Sequence, residues 1–192
     1  MESILKAIKK QKIPISPAVV ISNKSNAKGL AIAKKMGIQT VVIDSSKYKG
    51  KRLQFDKEVI STLRKYKVTP TNGLVCLAGF MRIISPYFIK EYKNKILNIH
   101  PALLPAFPGL DAQKQAIGFG VKYSGCTVHF VDEGVDTGPI IIQEIVKISN
   151  NDTEKTLTKK ILTKEHEIYP KAVELFAKKK LSIKGRRVKI LS

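Results

Sequence analysis

A chain of 192 residues with 43% apolar side chains is long enough to bury one substantial core and of the size of a single domain. Its longest strongly apolar run, residues 74–81, falls far short of the roughly 20 residues that a membrane-spanning helix needs, and no signal-peptide pattern precedes it, so cytoplasm is the expected compartment. Thirty-five Lys and Arg against fifteen Asp and Glu give +20, a balance shared by nucleic-acid binders and enzymes of anionic substrates, but the lysines are scattered rather than striped among aromatics, which argues for solvated faces and against nucleic acid.

Taken in order, the elements alternate. Residues 3–10 read as a helix with Ile4, Leu5 and Ile8 on one side; 18–22 as a short strand; 26–36 as a helix ended by Gly37; 40–43 as a strand. Phe55, Val59, Ile60 and Leu63 mark the next helix, and residues 74–78 a buried strand. Ser85 and Pro86 form an N-cap and first-turn pair for a helix through Lys93, which leads into a strand over 95–100. After a short helix at 112–118 come two β-rich runs, 123–131 and 139–148, predicted as an antiparallel pair. A long helix over 153–180, interrupted at Pro170, and a basic strand or tail at 183–191 close the chain. The pattern predicts one α/β domain over 1–192: a mostly parallel twisted sheet with helices on both faces and an antiparallel pair toward its C-terminal side. Cys76 and Cys126 fall in apolar strands and read as small buried residues; two cysteines indicate neither a disulfide framework nor a metal site, and a nucleophilic pairing of a Cys with His129 is disfavoured.

The chemistry concentrates in residues 97–108, L-N-I-H-P-A-L-L-P-A-F-P, and in Asp136 of the loop G-V-D-T-G-P. On a strand, Asn98 and His100 lie two residues apart and share a face. Pro101 stops the ladder, and three prolines within eight residues make the following loop stiff, so the pair sits at the carboxyl end of its strand, where open α/β sheets hold ligands. An uncharged Asn donates to a carbonyl oxygen that becomes an oxyanion, a His supplies or accepts a proton, and a carboxylate fixes the imidazole tautomer and raises its pKa. Those three groups describe acyl transfer without a protein nucleophile. Spacing alone equally allows a turn-capping Asn, a satisfied loop His and an Asp-Thr-Gly turn.

The surrounding blocks are more specific. L-A-G-F-M-R-I-I-S-P from Leu77, L-N-I-H-P-A-L-L-P-A-F-P-G-L-D-A-Q-K-Q-A from Leu97 and G-C-T-V-H-F-V-D-E-G-V-D-T-G-P-I-I-I-Q from Gly125, supported by V-I-S-N-K at Val20 and E-H-x-x-Y-P at Glu165, resemble the folate-dependent formyltransferases over nearly the whole chain. The resemblance is strongest to the branch that formylates glycinamide ribonucleotide in purine synthesis. It implies a Rossmann-like formyltransferase fold and 10-formyltetrahydrofolate as formyl-donor co-substrate, with no metal and no membrane partner, in a monomer or homodimer. By the same resemblance Asn98, His100 and Asp136 are the catalytic trio; Met81, Arg82, Ile83 and Ile84 cradle the pterin with Asn98 and Asp132; Arg52 contacts the folate side; and Glu165 meets the ribose of the acceptor. The chain departs from the family pattern at Asp111, where P-G-x-H is common, and at Gln113, where a further His is often found.

A doubly wound sheet normally begins with a strand feeding its first helix, whereas Met1-Glu2-Ser3 enters a helix directly. The resemblance implies a strand and a glycine-rich phosphate loop ahead of this point, so the expectation is that the true start lies upstream of Met1, the alternative being a truncated, impaired enzyme. The alternatives the sequence leaves are a sugar or methionyl-tRNA formyltransferase, a formyltetrahydrofolate deformylase, or a basic nucleic-acid-binding protein on an inactive formyltransferase core.

Overall fold

A computed structural model describes residues 1–192. The elements follow in the order α1 (Glu2–Lys9), β1 (Val20–Ser22), α2 (Lys28–Lys35), β2 (Thr40–Val42), α3 (Arg52–Lys65), β3 (Val75–Leu77), α4 (Pro86–Glu91), β4 (Ile96–His100), α5 (Ala112–Phe119), β5 (Tyr123–Phe130), β6 (Ile140–Lys147), α6 (Glu154–Ala177), β7 (Leu181–Lys184) and β8 (Arg187–Ile190). Helix and strand alternate from α1 to β5 as read from the sequence, and the cap at Ser85 forms as expected, with the Phe88 amide donating to its hydroxyl and Pro86 at the first helical position.

The strands form two sheets. β1 and β2 pair in parallel as a separate two-stranded sheet, and the other six run in the order β3-β4-β5-β6-β8-β7. β3 and β4 are parallel; β5 then runs antiparallel to both β4 and β6, so the direction changes one strand earlier than the β5–β6 pair alone required. β1 and β3 are edge strands of their sheets, and residues of both line a cavity of about 1370 Å³, together with Met1, Leu5, Leu30 and Phe80. Cys76 opens onto that cavity and is half-buried, whereas Cys126 is fully buried; burial pushes both thiols up to about 12, which leaves neither a ready nucleophile.

Two helix and strand expectations change at the C-terminal end. α6 is continuous from Glu154 to Ala177 with Pro170 inside it. Proline deprives the carbonyl four residues back, that of His166, of its helical donor, but His166 lies on the exposed side of the helix. The opposite face keeps Leu157, Ile161, Ile168, Tyr169, Ala172 and Val173 buried, and their burial sustains the helix through the break. The basic 183–191 stretch is a hairpin rather than a tail. Gly185, at φ 58°, opens a two-residue turn, and β8 joins the edge of β6 in parallel.

The core has two parts. Leu97, Val128 and Phe130 of β4 and β5 pack on Leu157, Ile161 and Val173 of α6, while Ile60 and Leu63 of α3 meet Phe88, Tyr92 and Ile96 on the other side of the sheet. Both faces of β4 are therefore covered, which fixes its register and hence the positions of Asn98 and His100.

Candidate active site

Antiparallel pairing places Asn98 opposite His129 and His100 opposite Thr127. Directly opposed residues point to the same face, so one face of β4 and β5 carries four polar side chains in two rungs. His129 is further set by a slip in the β5–β6 register between Val128 and His129, the kind of irregularity that re-aims a side chain.

Asp136 reaches this face from the loop between β5 and β6, with its backbone in the left-handed region at φ 55°. The loop is held by Asp132, whose Oδ1 accepts from the Gly134 amide at 3.2 Å and the Thr137 hydroxyl at 2.6 Å. At its base Gly138 passes so close to β5 that a Cβ would lie 1.8 Å from the Phe130 carbonyl oxygen, leaving room only for glycine. The Asp136 carboxylate then bridges two imidazoles. Oδ2 lies 3.2 Å from His100 Nδ1 and accepts from the Gly109 amide at 2.9 Å; Oδ1 lies 3.5 Å from His129 Nε2 and accepts from Asn98 Nδ2 at 3.4 Å.

Residues 101–109 wrap the site from the other side. The Thr127 hydroxyl donates to the Ala102 carbonyl at 2.7 Å and accepts from the Leu104 amide at 3.1 Å. The segment then turns through Phe107, at φ 53°, whose carbonyl lies 2.7 Å from His100 Nε2. His100 thus has an acceptor at each nitrogen, and only the imidazolium donates to both. Burial nonetheless holds the His100 imidazole below its ordinary value, against the pull of Asp136 and Phe107. The expectation that Asp136 raises it holds as a contribution that desolvation outweighs. For Asp136 burial works upward, but the His129 and Gly109 hydrogen bonds and the histidine charges overcome it, and the carboxyl lies below its usual range.

The remaining residues singled out from the sequence lie elsewhere. Ile84 is buried in the core beside α3, while Met81 is 76% and Ile83 58% exposed. The Arg82 guanidinium covers the Phe55 ring at 4.7 Å and, with Arg52, Tyr48 and Ser85, lines a depression of about 530 Å³ that includes none of the trio. Glu165, on α6, makes no hydrogen bond to the trio; burial pushes its carboxyl up to about 7, the charge of the Met1 amine opposing. Sequence reasoning missed His129 as a member of the site. The signal was there in the T-V-H alternation of β5, and its use required the β4–β5 register.

The formyl transferase family matches residues 1–173. The chain belongs to that family. Among similar family members, the phosphoribosylglycinamide formyltransferase of Bacillus subtilis (strain 168) is 40% identical over 173 residues, covering 90% of this chain and 86% of the relative. The crystal structure of glycinamide ribonucleotide transformylase 1 from Symbiobacterium toebii is 47% identical with a TM-score of 0.95, covering 100% of this chain and 88% of that one. The trifunctional purine biosynthetic protein adenosine-3 of Gallus gallus is 44% identical over 177 residues, 92% of this chain, yet the match spans only 17% of that much longer protein. The formyl transferase fold expected from the quoted sequence blocks is thus the fold observed.

Proposed function

We propose that the chain transfers the formyl group of 10-formyltetrahydrofolate to the amine of glycinamide ribonucleotide. The observation that carries this reading is the carboxylate of Asp136 shared between His100 and the Asn98–His129 pair on one strand face, in a chain whose relatives include phosphoribosylglycinamide formyltransferases. The acceptor amine attacks the formyl carbon and the carbonyl becomes an oxyanion; the amine nitrogen loses a proton, N10 gains one through His100 or a water, and the adduct collapses with the C–N10 bond breaking and the new C–N bond keeping the formyl group. Asn98 donates to the oxyanion. His100 is held by Asp136 at Nδ1, so Nε2 is its working nitrogen, and the Phe107 carbonyl is the contact that the substrate oxygen replaces.

The exposed Met81 and Ile83 beside Arg82 suit a flat pterin with its anionic tail toward Arg52, and Glu165 suits a ribose hydroxyl. No helix is long and apolar enough to cross a membrane. The test is formyl transfer by the protein as produced from its own gene, with glycinamide ribonucleotide as acceptor and an amino sugar nucleotide, methionyl-tRNA and water as competing acceptors. Asn98→Ala, His100→Ala and Asp136→Asn are each expected to lower kcat by about 10²–10³ while the fold persists. A His100→Ala enzyme within about threefold of normal turnover would overturn the assignment, and preference for another acceptor would reassign the substrate.

A further inference from the structure

His129 is 2% exposed and fully engaged. Its Nδ1 lies 2.8 Å from the Phe130 carbonyl, which only accepts, so Nδ1 carries a proton. Its Nε2 forms a near-equilateral triangle with Asn98 Nδ2 and Asp136 Oδ1, with sides of 3.3, 3.4 and 3.5 Å. The charged and titratable groups facing it are Asp136 from the loop and His100 from β4; its other cross-strand neighbours, Asn98 and Ile140, are uncharged.

The triangle is decided by counting protons. If Nε2 is bare, it accepts one Asn98 N–H while Asp136 Oδ1 accepts the other, and the amide turns both donors inward. Only its carbonyl oxygen then faces outward, which repels an oxyanion. If Nε2 carries a proton, it donates to Asp136 and has no lone pair for Asn98. One amide N–H is then sufficient for Asp136, and the second is free.

We propose that His129 is a positioning residue for formyl transfer: protonated at both nitrogens, it bonds to Asp136 and releases one Asn98 N–H for the formyl oxygen. This rests on the formyl-transfer reading above. His129 itself never touches substrate; it determines whether Asn98 is a donor or a misdirected acceptor.

Two measurements test it. In ¹⁵N-labelled protein at the assay pH, the imidazole nitrogens of His129 are expected to show protons at both Nδ1 and Nε2; a bare Nε2 in the substrate-bound enzyme overturns the proposal. This spectrum needs no turnover, so it is decisive even if the acceptor assignment fails. In kinetics, His129→Leu is expected to lower kcat about 10- to 100-fold with KM for the formyl donor within about threefold, and His129→Gln, which restores an uncharged donor toward Asp136, to recover part of that loss. Combined with Asn98→Ala, His129→Leu is expected to cost less than about threefold more, because both remove the same hydrogen bond. A merely structural histidine predicts additive losses and no rescue by Gln, and that result overturns the proposal.

Discussion

Thr127 offers a sharp test of how the site is held. Its side chain is fully buried, and its hydroxyl serves the Ala102 carbonyl, the Leu104 amide and Gln143 Nε2 at 2.7, 3.1 and 3.0 Å. Thr127→Val keeps the shape and deletes the hydroxyl. Gln143 is at the surface, retains the Leu104 carbonyl as partner and recovers its loss from water. The Ala102 carbonyl and Leu104 amide belong to residues 0% and 4% exposed and have no such recourse. Stranding each costs about 1–3 kcal/mol, so the substitution is expected to remove about 2–6 kcal/mol, a large part of an ordinary domain's stability. Urea unfolding followed by circular dichroism reads this as a midpoint lower by about 1–2 M at unchanged m. Thr127→Ser, which loses only a methyl, is expected to cost about 1 kcal/mol. Because residues 101–109 supply the Phe107 carbonyl and the Gly109 amide to His100 and Asp136, kcat falls with the Val variant more than with Ser. Equal effects of Val and Ser, or a Val midpoint within about 0.3 M of wild type, would refute the reasoning.

Other expectations follow from groups outside the trio. Tyr169 lies on α6 and its hydroxyl is shared by the Leu77 and Leu97 carbonyls at 2.7 and 3.0 Å, tying the helix to β3 and β4. Tyr169→Phe is expected to cost about 1–3 kcal/mol in urea unfolding, and a change below about 0.5 kcal/mol would mean that water replaces the phenol. Glu165 binds its proton more tightly folded than unfolded, its carboxyl being pushed from 4.5 up to about 7, so its contribution is full below the unfolded value and is lost as pH rises through that window, up to a ceiling of about 3 kcal/mol. Glu165→Gln is expected to abolish this fall. What remains is the opposite slope from His100, whose folded value lies below 6.5 and whose burial therefore disfavours the fold as pH drops below that value. Unfolding midpoints at pH 5 and pH 7.5 for both proteins distinguish the two; parallel pH profiles would show that Glu165 is not shifted.

Legibility in the sequence followed the range of the interactions involved. The alternation of strand and helix, the Ser85–Pro86 cap and the Asn98–His100 pair were readable because each is set by residues within one or two turns of each other. Pro170 was readable as a proline but not as a survivable one, since its tolerance depends on α6 burying its other face on β5 and β6. The 183–191 hairpin was hidden for a similar reason: its partner edge, Ile140 of β6, lies more than forty residues away.

The site shows the same division more finely. Asn98, His100 and Asp136 were named from residue type and family resemblance, yet their working geometry depends on contacts that no local pattern contains. Asp136 takes its position through a left-handed backbone, the Asp132–Thr137 bond and the absence of a Cβ at Gly138. His100 faces Phe107 only because residues 101–109 are strapped to Thr127 of a strand that pairs antiparallel to its own. That same pairing makes His129 the cross-strand partner of Asn98. Had β5 run parallel to β4, as uninterrupted α/β alternation predicts, this rung would not exist and Asn98 would face Asp136 alone. The direction change at β4–β5 is therefore what turns an amide, two imidazoles and a carboxylate into one proton-sharing group.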